Sequence, residues 1–528
     1  MAASSLRSDR LRLAAIVAIG VVLRAIYLRN VGHTPFFQPL SPLRDDGLFD
    51  LRGLEIAQGH WLGGPSWVAY ANFLYPYFLG AVYAVAGHSV SAARLIQTSL
   101  GSLTPIPVYF LAREAFSGRR VPLIAAALSA VYVPFIFFEN LLLGESLALF
   151  FGLVSLCLLI RALKKNEGVN ASAFGAGALT GVAALLRANL LIVAALTAVY
   201  LASTTAFRNK NRRAGAAAAG LFLAGVALGV APATLRNAIL NRDFNLVSAS
   251  GGYALYMGNS APGDGAYPNA ELGGSMKEML ARQGAVAEEA AGRPLKPSEV
   301  SRYWLGRTFA LAWSDPSRTA GRLLAKAGWF FNGYEFPDVL NMYFVSQFVP
   351  VLSLGRLEFG LAAVLALVGA AFGLRKASPA ARLLFVWTGA YAASVVLFFV
   401  NARYRVGVVP VLLVFAASAL ERVRAAAKSR DGAALAKLGG AAALAALLVF
   451  RPAPIVGYSN GYDSLGNYYA DHGRWNDARL CYLAAIDADP AHPAPYHNLS
   501  LAYLNLGDAE RSRQLEEKYA RLVGVQGP

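Results

Sequence analysis

Apolar runs of about twenty residues, each ending near a cluster of Lys or Arg, recur along residues 13–450 and constrain this chain more than any motif in it. A helix of that length matches the ~30 Å hydrocarbon thickness of a bilayer and satisfies its own backbone groups inside it. Hydrophobic residues make up 56% of the 528 and charged residues only 15%, which fits a polytopic membrane protein. The formal net charge of +17 is divided among short clusters between the runs. That is the distribution expected of cytoplasmic loops, and it argues against a nucleic-acid-binding face. Cys157 and Cys481 give neither a disulfide framework nor a metal-ligand spacing. Arg7, Arg10 and Arg12 precede a first run at 13–28 without a convincing small-residue cleavage site. This run is expected to remain as a membrane helix whose start is cytoplasmic.

From that start, the basic clusters set the side of every later loop. Runs at 95–116, 121–138, 141–160, a short pair around Arg187 and Asn189, 214–234, three after 345, and 433–450 bring the total to about eleven spans. Arg113, Arg119 and Arg120, then Arg161, Lys164 and Lys165, the stretch 208–213, Arg375 and Lys376, and the cluster Arg422, Arg424, Lys428 and Arg430 all fall inside. The apolar segment "NFLYPYFLGAVYAVAG" would invert this order if it crossed, so it is expected to lie along the membrane surface. Four parts result: membrane residues 1–234, an extracytoplasmic region 235–345, further membrane helices 346–451, and a tail 452–528.

In the tail, residues recur at the offset of the tetratricopeptide repeat: Tyr462 and Tyr496, Leu465 and Leu499, Tyr469 and Tyr503, Gly473 and Gly507. Ala478, Tyr482, Ala485 and Pro490 complete the first unit, whereas Ser512 and Glu516 mark the second as a degenerate cap. Such helix pairs form peptide-binding surfaces without chemistry of their own, and so short an array also suits plain packing against the membrane part.

Ionisable groups at membrane depth are costly and ask for a partner or a task. Asp45 and Asp46 follow the first span, and Glu139 and Glu145 lie at the next junction on the same expected side. Glu139 fits an interfacial position, while Glu145 lies about a turn deeper.

The order of one span, an outer Asp-Asp-x-x-Phe, a surface Tyr-Pro segment, a span, a basic loop, a span and a second acid resembles the GT-C glycosyltransferases that use polyprenyl-phosphate sugars. That group includes protein O-mannosyltransferases and lipid A aminoarabinose transferases. Further echoes are "LLRANL" at 185–190, "ASGGYALYMGNSAPGDGAY" at 249–267, "KAGWFFNGYEFP" at 326–337 and "NARYRVGVVP" at 401–410. The resemblance covers about residues 10–450 and implies an all-α membrane bundle with the repeat tail as a small added helical domain.

It places the catalytic carboxylate on Asp45, with Glu145 as second acid and Asp46 in support. A base for an acceptor hydroxyl and cations for a departing phosphate are what such a transfer needs. Arg403 and Arg405 are the expected phosphate ligands, with Arg187 and Lys326 in reserve, because guanidinium binds phosphate in bidentate fashion. Tyr75, Tyr253, Tyr256 and Asn259 are candidate substrate contacts. Two departures stand out: Asp-Asp replaces the usual Asp-Glu, and Tyr75-Pro76-Tyr77 replaces His-Pro-Pro or Lys-Pro-Pro, which leaves the sugar open. No cofactor beyond the polyprenyl-phosphate sugar is implied, and the carboxylates alone do not show a divalent metal.

The resemblance and composition suggest a bacterial inner-membrane enzyme with its active site and tail in the periplasm. The tail favours a protein acceptor, Ser or Thr, with a lipid or envelope glycan as the alternative. A scaffold is the non-enzymatic alternative; a transporter would show inverted repeats, which this sequence lacks.

Overall fold

The computed structural model describes residues 2–39, 44–63, 72–164, 171–260, 276–353, 357–374 and 377–523. Among them all regular structure is helical. Lys165, Arg375, Lys376 and the 261–267 part of the 249–267 segment lie outside the described residues.

Eight of the described helices are long and apolar enough to cross a bilayer: Ser8–Val31, Val90–Ala115, Glu145–Lys164, Leu190–Asn209, Arg212–Asn241, Pro379–Val396, Ala402–Lys428 and Gly432–Val449. The chain is a multi-pass membrane protein. The expected eleven spans are reached only by adding the shorter apolar helices Arg120–Val131, Ala171–Ala184 and Phe359–Gly373. Leu74–Ala86, the segment expected along the surface, is a fourth short apolar helix, of 13 residues.

Proline explains where the long runs break. Pro105 and Pro107 lack the N–H needed to continue from Val90–Ser102, so a second helix, Pro105–Ala115, restarts beyond Thr104. Pro134 does the same between Arg120–Val131 and Val133–Phe138. The run read as 141–160 begins its helix only at Glu145, which puts that carboxylate at a helix N-terminus, where the peptide dipoles favour a negative charge.

Close packing rests on small residues. Gly177 and Gly181 of Ala171–Ala184 face Gly225 and Gly229 of Arg212–Asn241, and a Cβ on any of the four would fall within 2.4 Å of a facing carbonyl oxygen. This is the close approach that small residues four apart allow between membrane helices.

Several basic residues of the loop clusters gather at one end of the molecule. There Arg119 pairs with Asp9 at 2.8 Å, Arg120 with Glu421 at 3.9 Å, and Lys164 with Glu114. Glu139 is a correction to an interfacial reading: it is buried and takes a bidentate pair from Arg24, at 2.6 and 3.0 Å. Arg24 also donates to the carbonyls of Gly20 and Ala130, so this pair ties the first helix to the segment 130–139.

The region 235–345 contributes Gly251–Ser260, Met276–Ala291, Pro297–Ser314, Pro316–Phe331 and Met342–Ser346. The tail folds as two helix pairs, Ser459–Asp471 with Trp475–Ala488 and Ala494–Asn505 with Ala509–Val523, around Ala478, Tyr482, Leu499 and Ala502. Gly473 and Gly507, one at each intra-pair turn, have φ of +70° and +86°, conformations that favour glycine. The repeat offset thus has a backbone cause.

Candidate active site

Asp45 and Asp46 open the helix Asp45–Ala57, whose N-terminus suits acidic residues. They point to different partners. Asp45 accepts from Arg403 Nη1 at 2.6 Å, and the same nitrogen reaches Asp338 at 3.0 Å. Arg403 Nε pairs with Glu145, and Glu145 also pairs with Arg187. Asp46 instead approaches Arg44 Nε at 3.6 Å and is buried.

Arg403 sits in the short helix Ala402–Arg405, fixed where the Asn401 side chain accepts from the Tyr404 N–H at 2.8 Å. Three carboxylates therefore converge on one buried guanidinium, and Arg187 completes the group by lying 4.5 Å over the Tyr404 ring. The formal sum is three negative against two positive charges. Glu145 Oε2 makes no hydrogen bond among the described residues.

Glu145, Arg187 and Arg403 also line a groove, together with Ala148, Leu149, Gly152, Leu153, Leu190, Trp387, Tyr391, Val406 and Gly407. Three of these residues are ionic and the other walls are largely apolar. Such a site accommodates an amphiphile with an anionic head, the guanidiniums supplying directional donors and the walls taking the chain.

Not all candidates meet here. Arg405 is the first correction: it is buried, donates to the carbonyls of Asn332 and Tyr334 at 2.6 and 2.7 Å, pairs with Glu335 at 2.7 Å, and covers the Phe359 ring. It holds the loop after Phe331 in place and is not a ligand of the groove. Lys326 is the second. Its Nζ lies among the oxygens of Phe398 at 2.8 Å, Asn259 at 2.9 Å, Gly258 at 3.2 Å and Leu397 at 3.3 Å, where it joins the ends of two helices. Burial first, and the Arg322 charge second, push the Lys326 ammonium down to about 7.

Asn259 belongs to this junction, because its amide donates to Leu255 and Leu397 carbonyls. Tyr253 and Tyr256 pack with Trp304 in a small separate core. Tyr75 is fully buried with its hydroxyl on Gln97 at 2.6 Å. None of the four lines the groove.

Asp338 is the residue that sequence reading missed. The segment "KAGWFFNGYEFP" stops one position short of it. An acid following an aromatic, proline-ended stretch on the expected outer side was the available signal. The three carboxylates meet at a guanidinium, and among the described residues no group of three His, Cys, Asp or Glu side chains is placed to hold an ion.

A family model described as dolichyl-phosphate-mannose-protein mannosyltransferase matches residues 71–232, just under a third of the chain, and includes Glu145 and Arg187. A tetratricopeptide repeat model matches residues 481–514. Among solved structures, the Archaeoglobus fulgidus oligosaccharyltransferase tethered with an acceptor peptide is 14% identical, with 88% of this chain and 58% of that one covered and a TM-score of 0.46. This chain thus spans under two thirds of that protein's length. ArnT from Cupriavidus metallidurans, bound to undecaprenyl phosphate, is 15% identical, with 97% and 77% covered and a TM-score of 0.40. No curated protein sequence matches. The family match, lying on a helical membrane core, supports a membrane glycosyltransferase.

Proposed function

We propose that this protein transfers a sugar from a polyprenyl-phosphate donor to an acceptor hydroxyl, with inversion at the anomeric carbon. The observation behind this reading is the convergence of Asp45, Asp338 and Glu145 on Arg403, beside Arg187, with Glu145, Arg187 and Arg403 lining a largely apolar groove. The lipid chain occupies the groove and the phosphate meets Arg187 and Arg403. As Arg403 turns its donors to the phosphate, Asp45 loses its ion-pair partner and becomes the base for the acceptor.

The acceptor oxygen then bonds to the anomeric carbon while the bond to the phosphate oxygen breaks. Polyprenyl phosphate departs on the guanidiniums and the hydroxyl proton goes to Asp45. Glu145 holds Arg187 and Arg403 in register, and Asp338, with its side chain 28% exposed, faces the acceptor side. The repeat tail supports a protein acceptor, Ser or Thr. We place the protein in a bacterial inner membrane with the amino terminus cytoplasmic and the site and tail periplasmic, from the charge pattern of the loops.

The test is transfer from a panel of radiolabelled polyprenyl-phosphate sugars to protein and lipid fractions by purified wild type and Asp45→Asn. Label in protein, lost in the folded variant, is the expected outcome. Label only in lipid replaces the protein acceptor with a lipid one, and equal transfer by both proteins removes Asp45 from the chemistry.

A further inference from the structure

The tail meets the membrane part at one aromatic junction, and the two acid-bearing segments pass through that same junction. Phe344, fully buried, lies 4.8 Å from the Tyr462 ring and 5.8 Å from Tyr458 at the first tail helix. It also lies 5.8 Å from Phe36, which leads into the Asp45 helix, and follows Asp338 by six residues. Gly461 of Ser459–Asp471 packs directly on this ring: a Cβ there would come within 2.7–2.9 Å of it. Two more links run the same way. Val456 N–H donates to Tyr334 at 3.2 Å, and Asn332 donates to the Arg451 carbonyl at 2.9 Å. Arg44, next to Asp45, donates to the carbonyl of Val339, next to Asp338.

We propose that the first tail helix is a fixed support behind the site, a positioning element that sets Asp338 and Asp45 relative to each other through Phe344, and not a loosely tethered recruiting arm. The proposal rests on the glycosyltransferase reading for its effect on turnover, and on packing alone for the coupling itself.

Gly461→Ala separates docking from folding of the tail. Alanine favours a helix over glycine, so the tail keeps its fold, while the new methyl wedges against Phe344. Hydrogen exchange on the detergent-purified full chain is expected to quicken about tenfold or more for amides of 332–348, while amides of the repeat core around Ala478 and Leu499 stay unchanged. Turnover with an acceptor too short to reach the tail should fall by about 10- to 100-fold at unchanged donor KM, because small misplacements of catalytic groups cost that much. Phe344→Leu makes room for the methyl, so adding Gly461→Ala in that background should change neither readout further.

Unchanged exchange over 332–348 in Gly461→Ala overturns the coupling. Faster exchange with undiminished turnover of the short acceptor overturns the positioning role and returns the tail to recruitment. Since exchange needs no substrate, absence of transfer by wild type tells against the glycosyltransferase reading and leaves the coupling to be decided by exchange.

Discussion

Arg403 balances Asp45, Asp338 and Glu145 while itself buried, so its loss and the loss of Asp45 have different consequences. Asp45→Asn keeps an oxygen acceptor for the guanidinium but removes the base; transfer should drop by roughly 10²- to 10⁴-fold with a melting temperature close to wild type. Arg403→Met strips the counter-charge from three carboxylates, and breaking a buried pair costs about 3–5 kcal/mol. A clear fall in melting temperature at neutral pH is expected, and a wild-type melting curve for this variant would contradict the assigned charge balance. Arg187 pairs with Glu145, which keeps Arg403 as a second partner, and stacks on Tyr404, so Arg187→Met should lower the melting temperature less than Arg403→Met and weaken donor binding by roughly tenfold or more, the worth of a charged hydrogen bond. Titration with polyprenyl phosphate reads that loss directly.

At the scale of elements, Lys326 shows how a charge can organise structure without touching substrate. It joins the carboxyl ends of Gly251–Ser260 and Pro379–Val396, where helix dipoles favour a cation. Its folded pKa near 7 lies below the ordinary lysine value of 10.5, so the unfolded chain holds the proton over a range where the folded chain does not. Across that window the unfolded state binds more protons and stability rises with pH; below about 7 both states are protonated and this contribution is flat. Denaturant melts of wild type and Lys326→Met between pH 7.5 and 9.5 should therefore diverge, the wild type alone showing this rise, since other groups titrate alike in both. The same residue shows the limit of sequence reading. Asp45, Glu145, Arg187 and Arg403 could be grouped in advance because charge at membrane depth is costly and each lies at a run's end on one expected side. Arg405 fits that pattern equally well and Lys326 lies on the same expected side, yet most of their partners are backbone carbonyls, which no sequence displays. Asp338 lies in the irregular stretch between Phe331 and Met342, where no periodicity guides the eye. Helix bounds were hidden for a related reason: Pro105 and Pro134 break apolar runs that hydropathy alone reads as continuous.

For the molecule as a whole, the groove is where membrane architecture and chemistry meet. Its walls come from Glu145–Lys164, Leu190–Asn209, Pro379–Val396 and the helix after Arg403, so a lipid chain in it would touch parts distant in sequence and reach Arg187 and Arg403 only at its head. Gly152 lines this wall with nothing within 4 Å of where a Cβ would stand. Gly152→Phe therefore fills space that the donor is proposed to use, at no cost in packing and with a better helix former. Excluding as few as two methylenes, at ~0.8 kcal/mol each, corresponds to about a tenfold rise in donor KM. At saturating donor kcat should be retained, and the melting temperature should not fall. A donor with a prenyl chain too short to reach Gly152 should be indifferent to the substitution. If long- and short-chain donors suffer equally, the ring acts through the helix and not through the groove, and the lipid path assigned here is wrong.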